Sequence, residues 1–228
     1  MNLHQTKKIL PGLGLHFAVA ATGALFLCPI APANAANHAK EIIRNVQKKY
    51  DELKSLKVDF RQDIKWELAG ETQTVQGTYY LQRGNKYRIE TEMQEVVTDG
   101  ETEWTFYKKT AQVVINRLED FKENPIPWNI LLENIEEYEP VFVREENVDG
   151  RKTYLLNLVP KDEVPFVKSM KIWVDASDWY ARKIEIVDIN DNVHTYLMQN
   201  FVDDVELDPS LFKFEIPEGS ETIDMRLH

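Results

Sequence analysis

Thiol chemistry is almost missing from this chain. Its one cysteine among 228 residues is Cys28, which lies in an N-terminal stretch that reads as an export leader. Lys7 and Lys8 make a basic start, Leu13 to Leu27 carries no charge, and Ala33-Asn34-Ala35 has the small-x-small form of a cleavage site. A membrane anchor needs about 20 apolar residues and would not end in such a site. Cys28 follows Phe26 and Leu27 rather than the small residues that bacterial lipidation requires, so a lipid anchor is not expected. Residues 1 to 35 are expected to be a removed signal peptide, which leaves 193 of the 228 residues and no cysteine. Disulfides, thiol nucleophiles and thiolate metal ligands are then excluded. An exported chain without cysteine suits a bacterial periplasm.

Positive charge is also scarce. Lys and Arg number 27 against 38 Asp and Glu, a net charge of −11. The leader holds two of the lysines and no acid, so the remainder carries −13. That balance argues against nucleic acid and against anionic lipid surfaces. It suits an acidic soluble surface, or a basic partner.

Catalytic groups are few. After residue 35 the histidines are His38, His194 and His228, and no two have metal-ligand spacing. A Ser-His-Asp arrangement would have to use His194, which reads as an ordinary strand histidine. The adjacent acids Glu136-Glu137, Glu145-Glu146 and Asp203-Asp204 read as solvated element ends rather than a glycosidase pair. There is no Gly-rich phosphate loop and no zinc signature. No metal, no cofactor and no enzymatic activity are expected. A hydrolase built around His194 remains as a reading that loss of turnover on substituting His194 would test.

What the chain has in quantity is alternation. Residues 40 to 54 place Ile42, Ile43, Val46, Tyr50 and Leu53 on one stripe at helical spacing. The period then changes to two: Val58, Phe60, Gln62, Ile64, Trp66 and Leu68 alternate with charged residues. Thr72 to Gln82 puts Val75, Gly77, Tyr79 and Leu81 on one face, and Lys86 to Met93 does the same with Tyr87 and Ile89. Val96 to Thr98 ends at the hairpin signal Asp99-Gly100, and Trp104 and Phe106 alternate in the next strand. Asn124 and Pro125 open a second predicted helix, 125 to 135, carrying Trp128, Leu131 and Leu132 on one side, with Pro140 as its stop. Strands then resume to about residue 202, for a total of about eleven. Residues 36 to 228 show no repeat, linker or boundary and read as one domain, expected to be a monomer.

So many alternating strands predict an antiparallel sheet, solvated on one face, that must curl, close or split. The two helices are the natural cover of its apolar face. Trp66, Tyr79, Tyr87, Trp104, Phe106 and Trp128 fall on that side, either as packed core or as the lining of a ligand cavity. Arg83 stands where a strand breaks into Gly84-Asn85. It is either an exposed strand-end arginine or a latch whose fixed donors reach backbone carbonyls of the covering helix.

These residues resemble the LolA family of outer-membrane lipoprotein carriers. Val58-Asp59-Phe60-Arg61-Gln62 is similar to the family's Phe-x-Gln first strand. Gly77 to Arg83 is similar to its second strand, and Val97 to Trp104 to its Asp-Gly hairpin with a following tryptophan. Asp208 to Gly219 is similar to its Phe-x-Phe then Pro-x-Gly ending, continued by Ile223-Asp224. Two positions depart: Gly84 stands where the family often has proline, and Ile89 where it often has tryptophan.

The resemblance implies a mainly β fold, an unclosed antiparallel half-barrel under a helical lid. It implies a periplasmic carrier that takes acylated lipoproteins from an inner-membrane ABC transporter (LolCDE-like) to an outer-membrane receptor (LolB-like). Arg83 would be the latch, and the lid would comprise the helices bearing Ile42, Ile43 and Val46 and Trp128, Leu131 and Leu132. The acyl cavity would be lined by Phe60, Ile64, Trp66, Tyr79, Leu81, Tyr87, Ile89, Trp104 and Phe106. A lipid- or partner-sensing module on the same half-barrel is the other reading. Carriage has a physical bound: each buried methylene contributes ~0.8 kcal/mol, so several fully buried chains would exceed the practical affinity ceiling and never be released.

Overall fold

Twelve strands hydrogen-bond into one sheet in a computed structural model that describes residues 33–118, 135–161 and 167–227. The helix predicted over 125–135, with Trp128, Leu131 and Leu132, lies almost wholly outside the described residues. The order of elements is α1 (Ala33–Glu52), β1 (Ser55–Trp66), β2 (Glu71–Gln82), β3 (Lys86–Thr91), β4 (Gln94–Asp99), β5 (Thr102–Tyr107) and β6 (Gln112–Arg117). These are followed by β7 (Tyr138–Val148), β8 (Arg151–Pro160), β9 (Val167–Asp175), β10 (Ala181–Asp188), β11 (Val193–Asp203) and β12 (Glu221–Asp224).

Across the sheet the strands run β12-β6-β5-β4-β3-β2-β1-β11-β10-β9-β8-β7. Strands β12 and β7 stand at opposite edges, so the sheet is open. The sequence reading counted about eleven strands, all antiparallel. The twelfth is β12, four residues too short to show periodicity, and it lies parallel to β6 with Thr222 opposite Val113. All other neighbours are antiparallel hairpin or crossover pairs, as predicted.

The inner face follows from register. Val58 pairs with Tyr79, Leu56 with Leu81 and Phe60 with Gly77. Tyr79 in turn pairs with Ile89, and Ile89 with Val96. On the other side of β1, Phe60 opposes Met198, and the face continues through Ile184, Ile172 and Leu156. Residues directly opposite share a face, so one apolar surface runs from β4 through β1 to β8.

Helix α1 closes that surface. Its Ala39, Ile42, Ile43 and Val46 recur at three- and four-residue spacing and are all buried in the same cluster as the strand residues. The two-residue link Leu53-Lys54 leads directly into β1. The helix begins earlier than residue 40, where the Ala33–His38 stretch of alanines, asparagines and a histidine has no large apolar residue to mark a stripe.

The opposite face is covered over β3 to β6 by the C-terminal segment. Asp208 caps a short 3₁₀ turn by accepting from the Ser210 N–H at 2.9 Å, and Phe212 is buried. Phe214 stacks on Trp104 with ring centroids 6.2 Å apart and lies 6.3 Å from Phe106. Arg88 Nη1 donates to the Leu211 carbonyl at 3.2 Å and holds the segment down. The sequence analysis placed Trp104 and Phe106 in the inner cavity, and the register corrects this. Trp104 pairs with Val97 and Ile115, while Glu103 pairs with Thr98 on the inner side. Both faces of β5 are covered: Trp104 and Phe106 pack under the C-terminal segment, while Glu103 and Thr105 face inward.

Candidate functional site

The site is the seam between α1 and the inner face, and Arg83 is at one end of it. Arg83 leaves β2 on the same face as Tyr79 and Leu81, one residue past the strand. Its Nε donates to the Leu53 carbonyl at 2.7 Å, and its Nη2 donates to the Asp51 carbonyl. These are carbonyls at the C-terminal end of α1, where helix geometry leaves acceptors without intrahelical donors and the dipole favours a cation. The arginine thus makes backbone contacts with the covering helix, at the end nearest β1.

Arg83 can reach because its turn is left-handed. Gly84 has φ +87° and Asn85 φ +58°. That conformation is open to glycine and asparagine and closed to proline, whose ring holds φ near −65°. The departure from the family pattern at Gly84 therefore has a local cause.

A second group of bonds, which the sequence reading did not find, holds the same end of the helix from the β11 side. Lys49 Nζ donates to Asp203 Oδ2 at 2.6 Å, and the Tyr180 hydroxyl donates to Asp203 Oδ1. The Tyr50 and Tyr180 rings meet edge to face at 5.6 Å. Burial works against the Asp203 carboxylate, but the hydrogen bonds from Lys49 and Tyr180 and the Lys49 charge outweigh it. Its pKa is held below the ordinary aspartate range. The adjacent acids Asp203-Asp204 were the sequence cue, read only as a solvated pair.

Of the expected cavity residues, Phe60, Tyr79, Tyr87 and Ile89 are buried in the core that α1 covers, and Leu81 packs against it. Ile64 and Trp66 share their face but run out along β1 beyond the helix, and Trp66 is 39% exposed. Leu81, Tyr79 and Tyr87 also line a pocket of about 200 Å³ beside Arg83, with Tyr50 and Leu53 as its helix wall. Sites that enclose whole small molecules measure roughly 300–1,000 Å³. The seam thus has open space at its β2–β3 end, smaller than a site that encloses a whole small molecule.

One region of the inner face is polar, and the sequence reading missed it. Glu103 is only 2% exposed, beside fully buried Thr98 and nearly buried Thr105. The Tyr87 hydroxyl donates to Glu103 Oε2, and Thr105 Oγ1 lies 3.5 Å from Oε1. Burial drives the carboxyl pKa above the ordinary glutamate value, and those two hydrogen bonds offset the shift only in part.

The residues considered for catalysis have structural partners. His194 Nε2 lies 3.4 Å from Asp188 Oδ2 in the β10–β11 hairpin. Glu145 pairs with Lys152 at 2.8 Å and Glu146 with Arg144 at 2.6 Å. Among the described residues no group of three His, Cys, Asp or Glu side chains could hold a metal ion.

An open sheet whose apolar face is covered, among the described residues, by one amphipathic helix, with the helix end held by side-chain bonds, defines a half-barrel container with a lid. The family described as outer membrane lipoprotein carrier protein LolA matches residues 51–215. The chain belongs to the LolA family.

Its relatives are distant. A protein of Methanocaldococcus jannaschii is 30% identical over 187 residues, which are 81% of this chain and 53% of the relative. The chain thus spans about half the length of that archaeal protein. The outer-membrane lipoprotein carrier protein of Glaesserella parasuis is 25% identical over 189 residues, 82% of this chain and 87% of that protein. Among solved structures, a conserved Thermus thermophilus protein superposes with a TM-score of 0.56 at 13% identity, over 82% of this chain and 99% of that one. The lipoprotein LppX of Mycobacterium tuberculosis gives 0.51 at 10% identity, over 75% and 99%. At those identities the structures bear on the fold alone.

Proposed function

We propose that this protein is a non-catalytic periplasmic carrier that shields the acyl chains of lipoproteins and moves them from the inner to the outer membrane. The observation that carries the reading is the seam itself. Ala39, Ile42, Ile43 and Val46 of a separable helix occupy an apolar face that hydrocarbon could occupy instead, and Arg83 holds the helix by backbone carbonyls only.

The energetics suit a shuttle. Burying hydrocarbon yields ~0.8 kcal/mol per methylene, but the helix side chains must first leave the same surface. Cargo and lid compete, so net affinity stays below the sum of the acyl contacts and release remains feasible. Donor and receptor are, on this reading, an inner-membrane ABC transporter of the LolCDE kind and an outer-membrane receptor of the LolB kind. Residues 1–35 act as the cleaved export signal, and 36–228 work as one domain, in keeping with the single compact unit Pro32–His228.

Native mass spectrometry of the protein isolated from periplasm tests this directly. The expected result is a mass increment from an acylated polypeptide, and release of lipoprotein from spheroplasts on adding purified protein. A protein that never acquires acylated mass in either assay is not a carrier.

A further inference from the structure

We propose that acyl chains enter and leave between the N-terminal half of α1 and the edge strand β7, the helix turning about a fixed pivot at Leu53-Lys54. The inference rests on the carrier reading and adds which side of the container opens.

The two ends of α1 are held by different means. At the C-terminal end the backbone itself is pinned. The Lys54 N–H donates to Asp204 Oδ1 at 2.8 Å, and the Lys54 carbonyl accepts from the Arg83 N–H at 3.1 Å. The Asp204 N–H donates to the Ser55 carbonyl at 2.9 Å. Arg83 and the Lys49–Asp203–Tyr180 group add side-chain bonds on both flanks. Only two residues separate the helix from the central strand of the sheet, so this end cannot travel far.

The other end is held by side chains alone among the described contacts. Lys40 Nζ meets Glu139 Oε1 at 2.9 Å, with both side chains about half exposed. His38 lies edge to face against Phe142 and Tyr154, with ring centroids 5.1 and 5.4 Å away. Exposed ion pairs and rim rings of this kind part readily. Strand β7 is moreover an edge of the open sheet, so among the described residues no further strand lies beyond it.

What lies behind this rim fits hydrocarbon. Leu156 and Ile172, the strand neighbours of Phe142 in the inner face, are fully buried and apolar. The rim rings are half-buried, with polar tips at His38 and Tyr154, and such side chains suit a boundary between water and a lipid tail. Lifting the helix from this end uncovers Ala39, Ile42 and Ile43 first, the positions a chain would replace. Arg83 on this account steadies the pivot, and Lys40 and His38 are the opening side.

The test uses the fact that Cys28 is the chain's one cysteine and lies in the leader, so introduced pairs label cleanly. One variant carries His38→Cys with Phe142→Cys, the other Lys49→Cys with Asp203→Cys, each bridged by a short bismaleimide in the exported protein. Relative to its own unbridged form, each variant is then assayed for uptake of a fluorescent triacylated peptide, which should fall at least about tenfold on forming the first bridge and change less than about twofold on forming the second. Thiol labelling of the unbridged, cargo-free protein should be at least about tenfold faster for a single Ile43→Cys variant than for a single Leu53→Cys variant, both buried positions. Equal blockade by both bridges, or blockade by the second alone, overturns the proposal, as does equal labelling of the two cysteines. If the unbridged protein takes up no lipopeptide, the carrier reading fails, while the labelling difference still decides the pivot.

Discussion

Arg83 Nε, in the turn between β2 and β3, donates at 2.7 Å to the carbonyl of Leu53, in the two-residue link that joins the covering helix to the sheet. A contact at this point has little leverage over the far end of α1. Its removal should change how readily the helix turns, more than whether it is present.

Arg83→Leu should therefore fold, with a loss of about 1–2 kcal/mol for two hydrogen bonds from a solvent-facing cation. Cargo should still bind, and transfer to an acceptor membrane should fail. Urea denaturation and a liposome transfer assay report the two effects separately, and normal transfer by the variant would remove the latch role.

Gly84→Pro, the residue common in the family at this position, should destabilise this chain by about 1–3 kcal/mol. The native φ of +87° is unavailable to proline. The β2–β3 turn would reopen and move Arg83 off Leu53, so the variant should also share the transfer defect of Arg83→Leu. Chemical denaturation alongside the same transfer assay checks both.

Glu103 should make stability depend on pH in the direction opposite to the surface aspartates. Its folded pKa lies above the ordinary value, so its contribution is complete at low pH and declines as pH rises towards the folded value. Asp203 behaves inversely: its depressed pKa contributes stability above the ordinary aspartate range, lost on acidification. Glu103→Gln should thus gain on the wild type as pH increases from about 4, with a slope of at most ~1.4 kcal/mol per pH unit. Denaturation midpoints at several pH values measure the difference, and a parallel pH profile for the two proteins would contradict the assignment.

Trp104 and Phe214 should matter for stability and not for cargo. Phe214→Ala should cost about 1–3 kcal/mol, and its double-mutant cycle with Trp104→Ala should show coupling of about 0.5–1.5 kcal/mol. Lipopeptide uptake should remain near wild type, because both rings lie on the face away from α1.

Gly77→Ala offers an internal control for the packed inner face. An added Cβ would collide with the Glu90 carbonyl oxygen and come 2.8 Å from the Phe60 ring. Backbone cannot yield as a flexible side chain would, so a loss of about 1–3 kcal/mol is expected in thermal or urea melts.

Periodicity made much of this architecture legible. The stripe Ile42, Ile43, Val46 predicted the buried side of α1, and the even-numbered run from Val58 predicted the inner face of β1. The same method failed at β5, where the aromatic phase, Trp104 and Phe106, packs under the C-terminal segment and the polar phase, Glu103 and Thr105, faces inward. It failed at β12, whose four residues owe their strand form to a parallel partner 109 positions away at Gln112. Alternation shows that the two faces of a strand differ, not which of them meets the main core when both are covered, and it reports nothing about strands too short to alternate.

The amino-acid sequence by itself determined that this protein is a curled sheet with an apolar side and a helix to cover it, since both follow from local spacing of apolar residues. It also determined that Arg83 stands at a break between strands. Which rings face inward, which buried acid sits among them, and which end of the helix is tied were decided only in three dimensions. Those features depend on register and on bonds between residues as far apart as Lys49 and Asp203, and long-range pairing leaves no periodic trace in the chain.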